Sequence, residues 1–119
     1  MTINFIFQVR PFFYSLEQKK VILTEGSESS FSCKLLYGGE GNQAVSFNWL
    51  LNGVVLNNVP NRIKILNDMK LLYTRIELKL VGLNDKGVYQ CMASNDYGNR
   101  TESIELVVKS QLAPLWLDF

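Results

Sequence analysis

Apolar and polar residues alternate along most of this chain with a period of two. The alternation is clear over residues 31–35, where Ser32 and Lys34 separate three apolar side chains. Such a segment has one face in a core and the other in water. Turn-forming residues separate these segments at intervals of roughly ten residues, and no long helical face competes with them. The pattern predicts an all-β sandwich.

The predicted strands cover residues 21–24, 31–35, 45–51, 54–56, 62–66, 73–80, 88–94 and a last segment around 104–108. In the long strand 73–80, Ile76, Leu78 and Leu80 are expected to face the core. Asn52 and Gly53 lie between two apolar runs, which predicts a hairpin with a type I′ turn. Residues 38–43 are predicted to form a loop, 82–87 a corner and 95–99 the last hairpin loop.

The composition fits one globular domain and argues against several functions. The chain has 119 residues, with 12 Lys and Arg, 11 Asp and Glu, and no His. A net charge of +1 gives no broad positive field for nucleic acid. Without His, the chain cannot build a Ser-His-Asp or Cys-His nucleophile, or a His-ligated metal site. We therefore expect no enzymatic activity, no cofactor and no metal.

Acidic residues and a glycine-rich segment are the remaining candidates for chemistry. Asp68, Asp85 and Asp96 are predicted to lie in different turns, so they do not form a catalytic pair. The segment from Gly38 to Asn42 is not followed by the Lys and Ser or Thr of a phosphate-binding loop. Turn formation explains both features better than a catalytic or phosphate site does.

Cys33 and Cys91 are the two cysteines, and 58 positions separate them. This distance is too large for a local metal knuckle, and two ligands are too few for a closed zinc site. A disulfide is the favoured interpretation, and two buried free thiols in a cytosolic domain are the alternative. A disulfide closing a loop of this length contributes roughly 4 kcal/mol and implies an oxidising compartment.

The two ends of the chain lie outside the predicted strands. Residues 1–18 are assigned to an N-terminal extension or linker, 19–110 to the domain, and 111–119 to an apolar tail. The first residues make a poor signal peptide, and no apolar stretch is long enough to span a bilayer. Leu115 and Trp116 have no core to join, which predicts contact with a membrane interface or a partner. A disordered tail is the alternative.

Residues spaced along these strands carry a resemblance to a known family. Cys33, Trp49 and the run Asp85-Lys-Gly87-Val-Tyr89-Gln-Cys91 resemble the signature of the immunoglobulin superfamily. Ala93-Ser94-Asn95, followed by Gly98, is similar to the intermediate-type domains of that superfamily. The resemblance extends over essentially the whole predicted domain. It implies an immunoglobulin-like sandwich of two antiparallel sheets.

The resemblance implies a structural role for each signature residue. Cys33 and Cys91 would bridge the two sheets, with Trp49 packed beside the bond. The hydroxyl of Tyr89 would bond back to the corner near Asp85. The resemblance also implies that Leu80 lies in the core and that Gly87 permits a tight approach of the backbone at the corner. Arg62 would form a bidentate charge pair with Asp85.

The C-terminal residues carry a narrower resemblance. Residues 107–116 are similar to the junction between the last domain and the membrane helix in the basigin and neuroplastin family. This likeness implies an extracellular adhesion and recognition module of a membrane glycoprotein, whose partner is an adhesion receptor or a membrane transporter. It also implies the outer side of the plasma membrane, or secretion if the chain ends at Phe119. The alternative is a structural immunoglobulin module of an intracellular muscle-type protein.

Surface chemistry is expected at one modification site and on several exposed segments. Asn99-Arg100-Thr101 is the only N-glycosylation sequon, and we expect it in the loop before the last strand. An unused chance match is the alternative. Protein partners are expected to contact the loops 38–43 and 96–99, or the strand face around Arg75, Glu77 and Lys79.

Overall fold

Nine strands and one single-turn 3-10 helix make up the described part of the chain. The structure, a computed structural model, describes residues 11–13, 19–37 and 45–110. In chain order the elements are β1 (Phe12–Phe13), β2 (Lys20–Thr24), β3 (Ser29–Tyr37), β4 (Ser46–Leu51), β5 (Val54–Val55), β6 (Ile63–Asp68), β7 (Tyr73–Leu78), the 3-10 helix (Leu83–Asp85), β8 (Gly87–Asn95) and β9 (Gly98–Lys109). The predicted all-β fold class is confirmed.

These strands form two sheets packed face to face. One sheet has the order β1-β3-β7-β6, and the other has the order β2-β9-β8-β4-β5. The paired strands run antiparallel, except that β2 and β9 run parallel. The short strand β2, which contains the predicted strand 21–24, lies at the edge of the larger sheet.

The core lies between the sheets and takes one side of each long strand. Ile76 and Leu78 of β7 and Trp49 of β4 are at most 1% exposed. The disulfide Cys33–Cys91 crosses the core from β3 to β8, with Cα atoms 6.6 Å apart. The predicted bridge between the two sheets is confirmed. It ties together the two layers that the apolar side chains hold in contact.

The prediction that Leu80 faces the core is wrong. Strand β7 ends at Leu78, and Leu80 has a φ of 52°, so its side chain turns outward and is 64% exposed. Val81 takes the inward position and is 1% exposed. Two backbone hydrogen bonds to the turn after β2 fix it: Val81 N donates to Ser27 O and Gly26 N donates to Val81 O. The left-handed residue changes which side of the backbone faces inward.

The boundary expected at residue 19 also needs correction. Phe12 and Phe13 form β1 and pair with Tyr37 and Leu35 of β3, inside the stretch assigned to an extension or linker. Pro11, which precedes them, is fully buried. The first strand of the sandwich is therefore divided, because β1 joins the smaller sheet whereas β2 joins the larger one.

The last hairpin is tighter than its composition suggests. Asn95 ends β8 and Gly98 begins β9, so that only Asp96 and Tyr97 lie between the strands. The Asn95 side chain accepts a hydrogen bond from Tyr97 N at 2.8 Å. Asn99 is consequently a strand residue paired with Ser94, and the expectation that it lies in a loop is wrong.

Candidate recognition surface

The tryptophan beside the disulfide is part of a hydrogen-bonded chain that links the two sheets. Trp49 Nε1 donates to Thr74 Oγ1 at 2.9 Å, and that hydroxyl donates to Asn67 Oδ1 at 2.6 Å. Thr74 has no exposed surface, and it pairs with Cys33 in the neighbouring strand. The indole is thus held by packing and by one buried hydrogen bond, which leaves its ring no face to offer a ligand.

Arg62 and Asp85 meet at the base of the sandwich. Asp85 Oδ2 accepts hydrogen bonds from Arg62 Nη2 at 2.6 Å and from Gly82 N at 2.7 Å. Arg62 Nε donates instead to Lys79 O at 3.2 Å. The guanidinium therefore bonds one carboxylate oxygen and one backbone carbonyl, rather than both oxygens of Asp85. It joins β6 to the corner that precedes β8.

Tyr89 anchors the same corner from inside the core. Its hydroxyl donates to Asp85 O at 2.7 Å, and its ring packs against Phe31 with centroids 5.5 Å apart. Burial, and then the Asp85 carboxylate, raise the pKa of this phenol far above its usual 10.0, while Arg62 partly offsets the shift. Tyr89 remains a neutral hydrogen-bond donor at physiological pH.

Gly87 allows the hairpin between β4 and β5 to lie against β8. Asn52 and Gly53 have φ values of 50° and 85°, the positive pair that a type I′ turn requires. Asn52 Oδ1 accepts a hydrogen bond from Val88 N at 3.0 Å. Gly87 has a φ of 140°, which side-chain-bearing residues rarely adopt, and a Cβ atom there would displace the Asn52 side-chain amide, 2.5 Å away.

The outer face of the larger sheet carries small, polar and isolated apolar side chains. The inward residues of β9 include Ile104 and Leu106, so Asn99, Thr101 and Ser103 share the opposite, solvent side. Asn99 is exposed and lies at the end of β9 nearest the last hairpin. Both the Asn and the Thr of the sequon therefore face solvent on the same side of the sheet.

The outer face of the smaller sheet is charged. Arg75 and Glu77 alternate with buried residues along β7, and Arg75 Nε lies 3.3 Å from Glu77 Oε2. Two shallow depressions of about 370 and 260 Å³ open on this face, and both are lined in part by Glu77 and Lys79. The three residues predicted for partner contact, Arg75, Glu77 and Lys79, thus lie together on one accessible surface.

Several expected contact residues lie outside the described part of the chain. These are the loop 38–43 and the tail residues Leu115 and Trp116. In the described hairpin, Asp96 and Tyr97 are exposed. Across residues 11–13, 19–37 and 45–110, no cluster of three or more metal-ligating side chains occurs. No helix within those ranges has the length and apolarity to cross a bilayer.

Sequence comparisons find contactin-5, Brother of CDO and titin among the relatives of this chain. The chain is 33% identical to contactin-5 of Gallus gallus over 86 residues, covering 72% of this chain and 7% of that protein. It is 28% identical to human Brother of CDO over 108 residues, with 87% and 8% covered. Titin of Drosophila melanogaster is 28% identical over 102 residues, which is 86% of this chain. The chain thus spans less than a tenth of each of these relatives.

Solved structures share the same architecture. An I-band fragment of titin, I67–I69, superposes with a TM-score of 0.73 at 20% identity, covering 84% of this chain and 33% of that one. The Ig7 domain of Dscam1 gives 0.69 at 20% identity, with 83% and 96% covered. The family model of the immunoglobulin I-set domain matches residues 12–108. That match begins at β1 and ends within β9, so the chain belongs to the immunoglobulin I-set domain family.

Proposed function

We propose that this domain is an extracellular recognition module of a cell-surface protein and that it binds protein partners without catalysis. The disulfide Cys33–Cys91 carries the proposal, because both cysteines are at most 2% exposed and are joined across the core. Such a bond forms and persists in oxidising compartments. The signature residues are engaged in packing and internal hydrogen bonds, which leaves the outer faces and loops for partners.

The adhesion-type relatives support this proposal. Contactin-5 and Brother of CDO are of that type, and immunoglobulin domains of such relatives mediate contacts between proteins. A partner would meet the charged face around Arg75, Glu77 and Lys79, or the hairpin tip at Asp96 and Tyr97. Contact through one small face is weak, and it is strengthened when several domains act together.

We also propose that Asn99 carries an N-glycan. Its side chain is exposed on the outer face of the larger sheet, and Thr101 of the sequon shares that face. A glycan there would cover the end of this sheet near Ser46 and Ser94, which pair along the same row. Partner binding would then favour the smaller sheet, whose charged face lies on the other side of the sandwich.

A finer proposal places the domain next to a membrane, as in the basigin and neuroplastin family. It rests on the likeness of residues 107–116 to that family's junction with its membrane helix. In this arrangement Leu115 and Trp116 would contact the membrane interface or a transporter partner. Contactin-5, Brother of CDO and titin are not members of that family, so the junction residues alone support this assignment.

Similarity to titin supports a second candidate function. A structural module of an intracellular muscle-type protein would have the same fold, and the Drosophila relative aligns with 86% of this chain. In a reducing cytosol Cys33 and Cys91 would remain thiols. The two candidates therefore differ in the redox state of the cysteines and in access from outside the cell.

Surface labelling of cells that express the protein separates these candidates. An antibody against residues 19–110 should label intact cells before permeabilisation. Digestion with an N-glycosidase should increase the mobility of the protein, and Asn99→Gln should abolish that shift. Asn84→Gln is the matched control, because Asn84 is exposed but not in a sequon. Labelling that appears only after permeabilisation would establish the intracellular candidate instead.

A further inference from the structure

Three cations meet near the base of the outer face of β6 and β7. Lys64 lies opposite Glu77 in the register of the two strands. Lys79 N donates to Arg62 O at 2.8 Å, so Arg62 and Lys79 lie opposite each other two rows before that pair, on the same face of the sheet. Like charges at opposite positions destabilise a sheet. Asp85 already balances the charge of Arg62, so an external anion bound here would neutralise chiefly Lys64 and Lys79.

Each carboxylate near these cations is already paired with an arginine. Asp85 binds Arg62 and Gly82 N, and Glu77 Oε2 lies 3.3 Å from Arg75 Nε. Among the residues that the structure describes, neither Lys64 nor Lys79 forms an ion pair. Both lysines are exposed. Their ammonium groups are therefore free to bind a ligand from solvent.

The depression between these side chains suits a charged group rather than an enclosed small molecule. It measures about 260 Å³ and includes Val59 and Asn61 beside the three cations and Glu77. A pocket for a metabolite buries most of its ligand among apolar walls. This site is shallow and open, so it fits a group that is recognised mainly by charge.

The backbone hydrogen bonds at the edge of β6 argue against an acidic peptide as the bound anion. An extended peptide would bind here by adding a strand to the free edge. That edge is already partly occupied, because Val59 and Ile63 exchange two backbone hydrogen bonds of 2.9 Å each. Ile65 N donates to Asn58 Oδ1 at 2.7 Å. A peptide therefore finds no ladder to join at the positions beside the cations.

We propose that Arg62, Lys64 and Lys79 form a subsite for the sulfate groups of an extracellular sulfated polysaccharide. Such a polymer is recognised by charge and does not need an open strand edge. The proposal rests on the extracellular location argued above, because that location brings the domain into contact with the polymer. With three cations, binding is weak and decreases as salt increases.

Binding of the full disulfide-bonded chain to immobilised heparin, over a salt series, tests this subsite. The test variant is Lys64→Gln with Lys79→Gln, which leaves the Arg62–Asp85 pair intact. The control variant, Lys20→Gln with Lys109→Gln, removes the same charge from exposed positions on β2 and β9 of the larger sheet. Thermal melting of all three proteins checks that they remain folded. Chemically desulfated heparin and poly-L-glutamate serve as competitors.

The test variant should bind heparin roughly tenfold more weakly than the wild type, whereas the control variant should retain wild-type affinity. Desulfated heparin and poly-L-glutamate should compete poorly. Equal losses in the two variants would overturn the subsite, as would absence of binding at low salt. Effective competition by poly-L-glutamate would overturn the assignment to a polysaccharide. None of these outcomes changes surface labelling, so a failure here is distinguishable from a failure of the proposed function.

Discussion

Arg62 and Asp85, which are 23 residues apart in the sequence, form an ion pair of 2.6 Å that joins the start of β6 to the corner before β8. The Asp85 side chain is only 15% exposed, and the same oxygen also accepts a hydrogen bond from Gly82 N. The carboxylate therefore organises the corner from which the Tyr89 strand begins. The guanidinium reaches both this carboxylate and the Lys79 carbonyl.

Loss of this carboxylate should destabilise the domain. Asp85→Ala leaves Arg62 and Gly82 N without their acceptor, so the free energy of unfolding should decrease by about 2 to 3 kcal/mol. Arg62→Lys should cost about 1 kcal/mol, because an ammonium group cannot reproduce the planar pair of bonds. Urea unfolding measures both effects. Lys86→Ala, an exposed neighbour, is the control, and an Asp85→Ala protein as stable as this control would contradict the role given to the pair.

The buried hydroxyl of Thr74 should contribute more to the stability of the domain than Asn67, the exposed residue that accepts its hydrogen bond. Thr74→Val keeps the shape of the side chain but removes the acceptor of Trp49 Nε1, which leaves a buried N–H unpaired at a cost of about 1 to 3 kcal/mol. Asn67→Ala removes only the exposed end of the chain, where water can replace the amide oxygen. We expect Thr74→Val to have the lower midpoint in urea. Equal midpoints would show that the hydrogen bond to the indole contributes little.

Alanine substitutions at Gly53 and Gly87 distinguish the cost of backbone strain from the cost of a steric collision. Gly53 and Gly87 both have positive φ, but only a Cβ atom on Gly87 would strike a neighbour, the Asn52 amide. Gly53→Ala should cost about 1 to 2 kcal/mol, from strain alone. Gly87→Ala should cost about 2 to 4 kcal/mol, because the collision adds to the strain.

The double variant Gly87→Ala with Asn52→Gly provides the check on that explanation. Removing the Asn52 side chain makes room for the methyl group, so this variant should recover part of the stability lost in Gly87→Ala. Strictly additive losses, measured by thermal melting, would mean that the two side chains do not collide.

Tyr89 should make the domain sensitive to alkaline pH. Because folding raises the pKa of the phenol above its usual 10.0, the folded state holds this proton more tightly than the unfolded state does. The resulting stabilisation is complete below pH 10.0 and decreases as the pH rises above it. The loss for this group has a limiting slope of about 1.4 kcal/mol for each pH unit.

Tyr89→Phe isolates that contribution. The variant lacks the hydrogen bond to Asp85 O, so it should be about 1 kcal/mol less stable at neutral pH. Above pH 10.0 its stability should decrease less steeply than that of the wild type, and the two unfolding curves should converge. Parallel pH profiles would contradict the coupling between phenol ionisation and folding.

The strands of the sandwich were predictable from the sequence because alternation reports directly which side chains are buried. The spacing of Cys33, Trp49 and Cys91 was informative for a related reason, since strand register decides which residues meet across the core. The type I′ hairpin was visible in Asn52 and Gly53, because both residue types tolerate positive φ. Each of these features depends on short stretches of chain or on a known signature.

Other features depend on contacts that no local pattern contains. Leu80 adopts a positive φ that its residue type does not favour, so continued alternation wrongly placed it in the core. Strand β1 has two residues and is defined by its pairing with β3, which is distant in sequence. The opposition of Arg62 and Lys79 likewise arises from the register of β6 on β7. Only the assembled sheet reveals these relationships.

The redox state of Cys33 and Cys91 in protein isolated from its own cells tests the central claim most directly. The protein would be denatured in excess alkylating agent without reductant, and its intact mass would then be measured. An extracellular module should take up no alkyl group and should weigh two hydrogens less than its reduced form. After reduction, both cysteines should be alkylated. Two alkyl groups on the protein that was never reduced would contradict the account and favour the intracellular structural module.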